Sequence, residues 1–192
     1  MVNKALIIAD VLNDFMPGGA LPVSEGDAVV APINKIIHWC ENKEDWIIIL
    51  ACDWHSEDSK HFEKYPVHCV RNTPGAEFHP DLKISPNAIM IYKGLDPNED
   101  GYSAFGGIAL SCFGLDEILH IFSIEEVFIC GLATDYCVKF SAIDSVKRGF
   151  KTFVLLDGCR TLTKESGRKA IKEMGDAGVV MTATWEVMEL KA

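Results

Sequence analysis

Seven side chains of this 192-residue chain have types and spacings that could do chemistry together: Cys137, Asp10, Lys93, Asp53, His55, His61 and His68. Cys137 ends a stretch, residues 127–137, that reads as a buried strand, a tight turn at Gly131 and the first turn of a helix. Thr134 or Asp135 is a natural N-cap, after which Val138, Ala142 and Val146 recur every four residues as one apolar helix face. A cysteine there meets unpaired N–H groups and the positive end of the helix dipole. That setting predicts a lowered thiol pKa and a nucleophile, and the same N–H groups could receive a developing oxyanion.

Asp10 can take the thiol proton and later return it to a leaving amine, while Lys93 holds the carboxylate and offsets negative charge beside the thiolate. Taken singly, the three residues read as a core cysteine, a turn-capping aspartate and a lysine snorkelling from a strand end. The second set, Asp53-x-His55-x5-His61-x6-His68, packs one carboxylate and three imidazoles into a single loop. Such donors suit Zn²⁺, with Mn²⁺ or Fe²⁺ as alternatives, and leave positions for water or substrate. His79, followed by Pro80, reads as a bystander. Phe15, Tyr65, Tyr102 and Phe105 fall in the same loops, where they either stack a planar heterocycle or pack locally.

The elements that must position these groups are six apolar runs: Lys4 to Ala9, Asp45 to Cys52, Ala88 to Tyr92, Glu126 to Cys130, Lys151 to Leu156 and Gly178 to Met181. Helical stretches lie among them at Asp27 to Glu41, Leu110 to Phe122, Asp135 to Arg148 and Lys164 to Ala177. The alternation predicts an α/β fold of three layers, a six-stranded mainly parallel sheet with helices on both faces, in a single domain spanning residues 1–192. Asp10, Asp53, Lys93 and Cys137 each follow a strand. Open parallel sheets bind ligands at that carboxyl edge, where strand order reverses, so topology alone makes the four neighbours.

A net charge of −10 with no basic run argues against nucleic acid or an anionic membrane as partner. Seven cysteines without a C-x-x-C pair fit free thiols in a reducing compartment. Asp10 interrupts the first apolar run after five residues, too early for a signal peptide, so the expected location is the cytosol.

The motifs resemble those of the isochorismatase-like cysteine hydrolases, and within them the nicotinamidase/pyrazinamidase branch. The resemblance rests on residues 10–21, opening Asp10-Val-Leu-Asn-Asp-Phe15, on Asp53-Trp-His55, on Pro66-Val-His68, on residues 73–79, on Lys93-Gly and on residues 131–138 around Cys137. It implies Cys137 as nucleophile, Asp10 as proton shuttle and Lys93 as third member of a triad, with Asp53, His55, His61 and His68 as metal ligands. It further implies a cis peptide between Leu132 and Ala133 that aims the Ala133 and Cys137 N–H groups at a carboxamide oxygen, with Phe15 and Tyr65 lining the substrate ring. The expected substrate is a small amide, nicotinamide and by extension pyrazinamide, hydrolysed through a thioester in the service of NAD salvage. Leu12 stands where the family commonly has Gln, Tyr65 where Trp is frequent, and His61 where the fourth ligand varies. An amidase for carbamoyl or ureido substrates and a non-catalytic metal-binding protein are the alternatives. Family members occur as monomers and in several oligomeric forms, so a homo-oligomer stays open.

Overall fold

In the computed structural model, which describes residues 3–189, the apolar runs form β1 (Lys4–Ala9), β2 (Trp46–Asp53), β3 (Ile89–Lys93), β4 (Glu126–Leu132), β5 (Lys151–Arg160) and β6 (Val180–Thr182). They make one sheet in the order β3-β2-β1-β4-β5-β6, every pairing parallel. All six residues of β1 are buried, as the central strand of a sheet covered on both faces requires. The ends of the 1–192 range fall outside the described residues.

The helices are α1 (Val30–Glu41), α2 (Leu115–Ile121), α3 (Lys139–Lys147), α4 (Lys164–Asp176) and α5 (Thr184–Glu189). From β1 the chain steps through α1 to β2 in one direction; from β4 it steps through α3 and α4 to β5 and β6 in the other. Right-handed crossovers running in opposite directions put their helices on opposite faces. Accordingly α1 packs with α5, and α3 with α4. Strand order reverses between β1 and β4, which opens a crevice at their carboxyl ends.

One approach at that edge is close enough to dictate residue type. Gly131 has φ 114°, and a Cβ there would lie 2.0 Å from the carbonyl oxygen of Ala9. Only glycine lets β4 run this near β1. The β4–β5 register shifts between Ile129 and Gly131, after which Gly131 pairs with Cys159 and Leu132 with Arg160. The bulge lets β5 run on to Arg160, past the expected end at Leu156.

The helical stretches differ from expectation in three places. The residues from 110 to 114 are not helical: Cys112 has φ 65°, and α2 begins only after Gly114, whose N–H donates to Glu117 Oε2. The segment carrying Cys137 is a π-helical turn, Thr134–Val138, that precedes α3 and closes with Val138 N–H donating to Ala133 O. Helix α5 was not expected from the sequence, and its six residues are too few for a periodic signal.

Candidate active site

Asp10 leaves β1 in the left-handed region, at φ 52°, an uncommon conformation for a non-glycine residue and one that turns its side chain back over the sheet edge. Its Oδ1 accepts from the Asp53 N–H at 2.7 Å, fixing it to the end of β2. Lys93, at the end of β3, reaches across the same edge with no solvent exposure. Its Nζ lies 2.9 Å from Asp10 Oδ2, pairs closely with Asp53 Oδ1 and donates to Cys137 Sγ at 3.4 Å. The oxygen or sulfur atoms of Asp10, Asp53 and Cys137 lie within 4.8 Å of one another. One cation, at the end of β3, thus joins two carboxylates and a thiol that stand at or just beyond the ends of β1, β2 and β4.

Burial and charge compete at each group. Burial pushes the Asp10 carboxyl up to about 6 against the pull of Lys93. Burial acts the same way on Asp53, but Lys93 and His55 outweigh it and hold that carboxyl well below its ordinary range. Burial disfavours the Lys93 cation, yet Asp10, Asp53 and Cys137 together keep it charged and its pKa well above normal. For Cys137 the outcome reverses the expectation from sequence. Desolvation pushes the thiol well above its ordinary value, Lys93 opposes this, and the two nearby carboxylates add to the rise. The dipole argument counted a favourable helix end without the cost of burying a thiolate beside two anions. The resting group is a thiol, and a proton acceptor must activate it; Asp10 stands ready, with a carboxylate oxygen within 4.8 Å of Sγ.

Thr134 and Asp135 do not cap the helix with their side chains. Asp135 instead accepts from Leu162 N–H (3.2 Å) and Ser166 Oγ–H (2.5 Å), which ties the π-turn to the loop before α4. The peptide between Leu132 and Ala133 is cis.

Beside the thiol, His55, His61 and His68 each offer a ring nitrogen within 4.8 Å of the others. His55 is completely buried and neither ring nitrogen has a hydrogen-bond partner among the described residues, while its Nε2 lies 3.8 Å from Asp53 Oδ1. A buried imidazole with two orphaned nitrogens is costly unless something else binds it. His68 Nδ1–H donates to Pro66 O (2.7 Å), which leaves its Nε2 lone pair free. His61 Nδ1 bonds Asp100 Oδ1 at 2.9 Å in the same manner. Burial lowers the pKa of both His61 and His68 and so favours neutral imidazoles, the ligand form. The donor set fits a divalent ion. Gly94 makes room for the His55 ring: with φ 69°, a Cβ there would sit 2.5 Å from His55 Cε1. Gly94→Ala is expected to lower metal affinity about 10–100-fold and stability by about 1–3 kcal/mol, read by chelator competition and urea denaturation; unchanged metal affinity would remove this role.

Above these groups lies a cavity of about 410 Å³, with Cys137, Ala133, Asp53, His61 and His68 among its lining and Phe15, Tyr65, Tyr102 and Tyr136 as aromatic walls. Tyr65 stacks on His61 at 4.6 Å and is hydrogen-bonded to Tyr102 through their hydroxyls at 3.0 Å. Two residues expected around the substrate sit elsewhere. Phe105 packs at 6.3 Å from Phe150 under the Arg148 guanidinium, and the Leu132 side chain is fully buried beside Gly26. Leu132 therefore contributes backbone only. Sequence reasoning missed the walls Tyr136, Leu21, Val23 and Leu162, the His61 partner Asp100, and Asp14, whose carboxylate accepts from Cys69 N–H (2.7 Å) and holds the histidine loop to the loop after β1.

The isochorismatase domain family matches residues 4–186. The chain belongs to the isochorismatase family. The nicotinamidase of Escherichia coli K12 is 36% identical over 97% of this family member and 98% of its own length. A pyrazinamidase of Pyrococcus horikoshii in complex with zinc superposes with a TM-score of 0.87 at 36% identity, covering 94% of this chain and 99% of that one. PnC1 from L. infantum in complex with nicotinate superposes with a TM-score of 0.84 at 33% identity over 96% and 94% of the two chains. This isochorismatase-family hydrolase thus has its cysteine, its buried ion-paired lysine and its histidine cluster at the same crevice of a shared fold.

Proposed function

We propose that this chain is a metal-dependent nicotinamide amidohydrolase, converting nicotinamide and water into nicotinate and ammonia. The observation that carries the reading is the joint placement of a thiol, with a carboxylate proton acceptor within 4.8 Å, and a histidine cluster with free ring nitrogens beside one aromatic-walled cavity. The E. coli nicotinamidase and the nicotinate-bound structure support the substrate.

Asp10 takes the proton of Cys137 as Sγ attacks the carboxamide carbon. The tetrahedral oxyanion faces the N–H groups of Ala133 and Cys137. Collapse breaks the C–N bond, Asp10 returns the proton to the departing ammonia, and a nicotinoyl thioester remains on Cys137. Water then attacks the thioester, one of its protons passing to Asp10; the C–S bond breaks, Asp10 returns that proton to Sγ, and the nicotinic acid formed gives its own proton to ammonia as nicotinate leaves. Lys93 keeps its positive charge throughout and positions Asp10 beside Sγ. Asp53, His55, His61 and His68 would hold the divalent ion, with zinc the first choice given the zinc-bound pyrazinamidase. When bound, the ion supplies a Lewis acid for the pyridine nitrogen. Phe15 and Tyr65 flank the ring. The place of such an activity is NAD salvage in the cytosol, a setting supported by seven cysteines that are all free thiols.

The test is nicotinate and ammonia release by zinc-loaded protein, beside chelated and zinc-restored samples and an N-carbamoyl amide. Turnover of nicotinamide should vanish on chelation and return with zinc. Full activity without metal, or preference for the carbamoyl substrate, would overturn the reading.

A further inference from the structure

A second groove, of about 720 Å³, lies behind the π-turn, between it and the first turns of α4. Its walls bring Arg160, Lys164 and Arg168 together over a floor of Leu156 and Ile171. In a chain of net charge −10, no carboxylate among the described residues forms an ion pair with any of the three. Lys164, Arg168 and Ile171 share one face of α4 at spacings of four and three, so that face offers two cations and then an apolar residue to the groove. Two cations also stand in the first turns of α4, where the helix dipole favours anions. Gly167 lies on the same side, packed so closely on Thr161 that a Cβ would come within 2.8 Å of its Oγ1.

The second observation is Thr134. It is 5% exposed and lines this groove, and its hydroxyl has no hydrogen-bond partner among the described residues. The hydroxyl oxygen is not sealed from solvent, so it is free to bond a ligand that enters the groove. Guanidinium, ammonium and hydroxyl donors lining one groove match the oxygens of a phosphate, with Arg160 steadied by its Nη1 donating to Cys159 O at 2.7 Å, and the apolar residues beside them match a ring.

We propose that this groove binds a phosphate monoester with an aromatic or apolar body, a mononucleotide being the simplest example. The phosphate sits among Arg160, Lys164, Arg168 and the Thr134 hydroxyl, and the body lies on Leu156 and Ile171. The site is separate from the catalytic cavity but shares the turn that carries Cys137.

The test is calorimetric titration of the full chain with adenosine monophosphate, inorganic phosphate and adenosine, on wild type and on Lys164→Ala/Arg168→Ala. Neither lysine nor arginine touches the catalytic cavity, and melting curves establish that the double variant is folded. The expected result is saturable mononucleotide binding, about 10-fold or more tighter than inorganic phosphate, and weakened about 10-fold or more by the double substitution. No saturable binding, or binding indifferent to the substitution, overturns the site. Equal affinity for inorganic phosphate overturns the role of the apolar floor. Since binding is read without turnover, failure here is distinguishable from failure of the amidase reading.

Discussion

Asp10→Asn is expected to lower kcat/KM for nicotinamide about 10³-fold or more while leaving the fold intact. Asparagine keeps the shape of the side chain, and its carbonyl oxygen can still accept from the Asp53 N–H that Asp10 Oδ1 accepts from now. What it loses is the base. The Cys137 thiol is held protonated by burial, so the free enzyme carries little thiolate to attack with. The proton must therefore move during the reaction, and of the two carboxylates within 4.8 Å of the thiol, Asp10 is the one whose pKa is raised enough to receive it. General base catalysis of this kind is worth about 10²–10⁴-fold, and Asp10 is used both for attack and for departure of ammonia. Steady-state kinetics on metal-loaded protein provide the check. A variant within about 10-fold of wild type would mean that another group takes the proton.

Lys93→Met is expected to abolish turnover and also to cost about 3–5 kcal/mol of folding stability. Methionine fills similar space, but it leaves Asp10 and Asp53 buried at 0% and 6% side-chain exposure without the cation that both now pair with. Stranding buried charges is far more costly than losing a surface ion pair. Urea denaturation measures the loss, and a double substitution with Asp10→Asn should recover part of it, since one fewer carboxylate is stranded. Wild-type stability in Lys93→Met would show that the two carboxylates are satisfied some other way.

The two cases mark what the sequence reveals. Asp10, Asp53 and Lys93 are legible because each directly ends an apolar run, and parallel pairing then forces the ends together: Asp53 registers with Lys93, and Ala9 with both Ala51 and Gly131. The six strands and the histidine loop follow from the same patterning, whereas the order of the strands shows only in the structure. The protonation of Cys137 is not legible, because the dipole of a helix end shows in the sequence whereas the desolvation opposing it depends on what packs above. Asp100 and Tyr136 escape for a related reason. Asp100 lies 39 residues from His61 in a loop without periodicity, and only the folded loop brings its carboxylate to the ring. Asp135 reads as a cap by its position before a helix, but the π-turn rotates its side chain toward Leu162 and Ser166. Phe105 shares a loop with Tyr102, yet after the turn at Ala104–Gly106 it packs on Phe150, away from the cavity.

The central claim is that one thiol, Cys137, carries amide hydrolysis in this crevice. The most direct test is ammonia and nicotinate release from nicotinamide by zinc-loaded wild type and zinc-loaded Cys137→Ala side by side, with metal content measured in both. Equimolar products from the wild type and none above background from the variant, at equal zinc occupancy, is the predicted result. Near-normal turnover by folded, metal-loaded Cys137→Ala would contradict it.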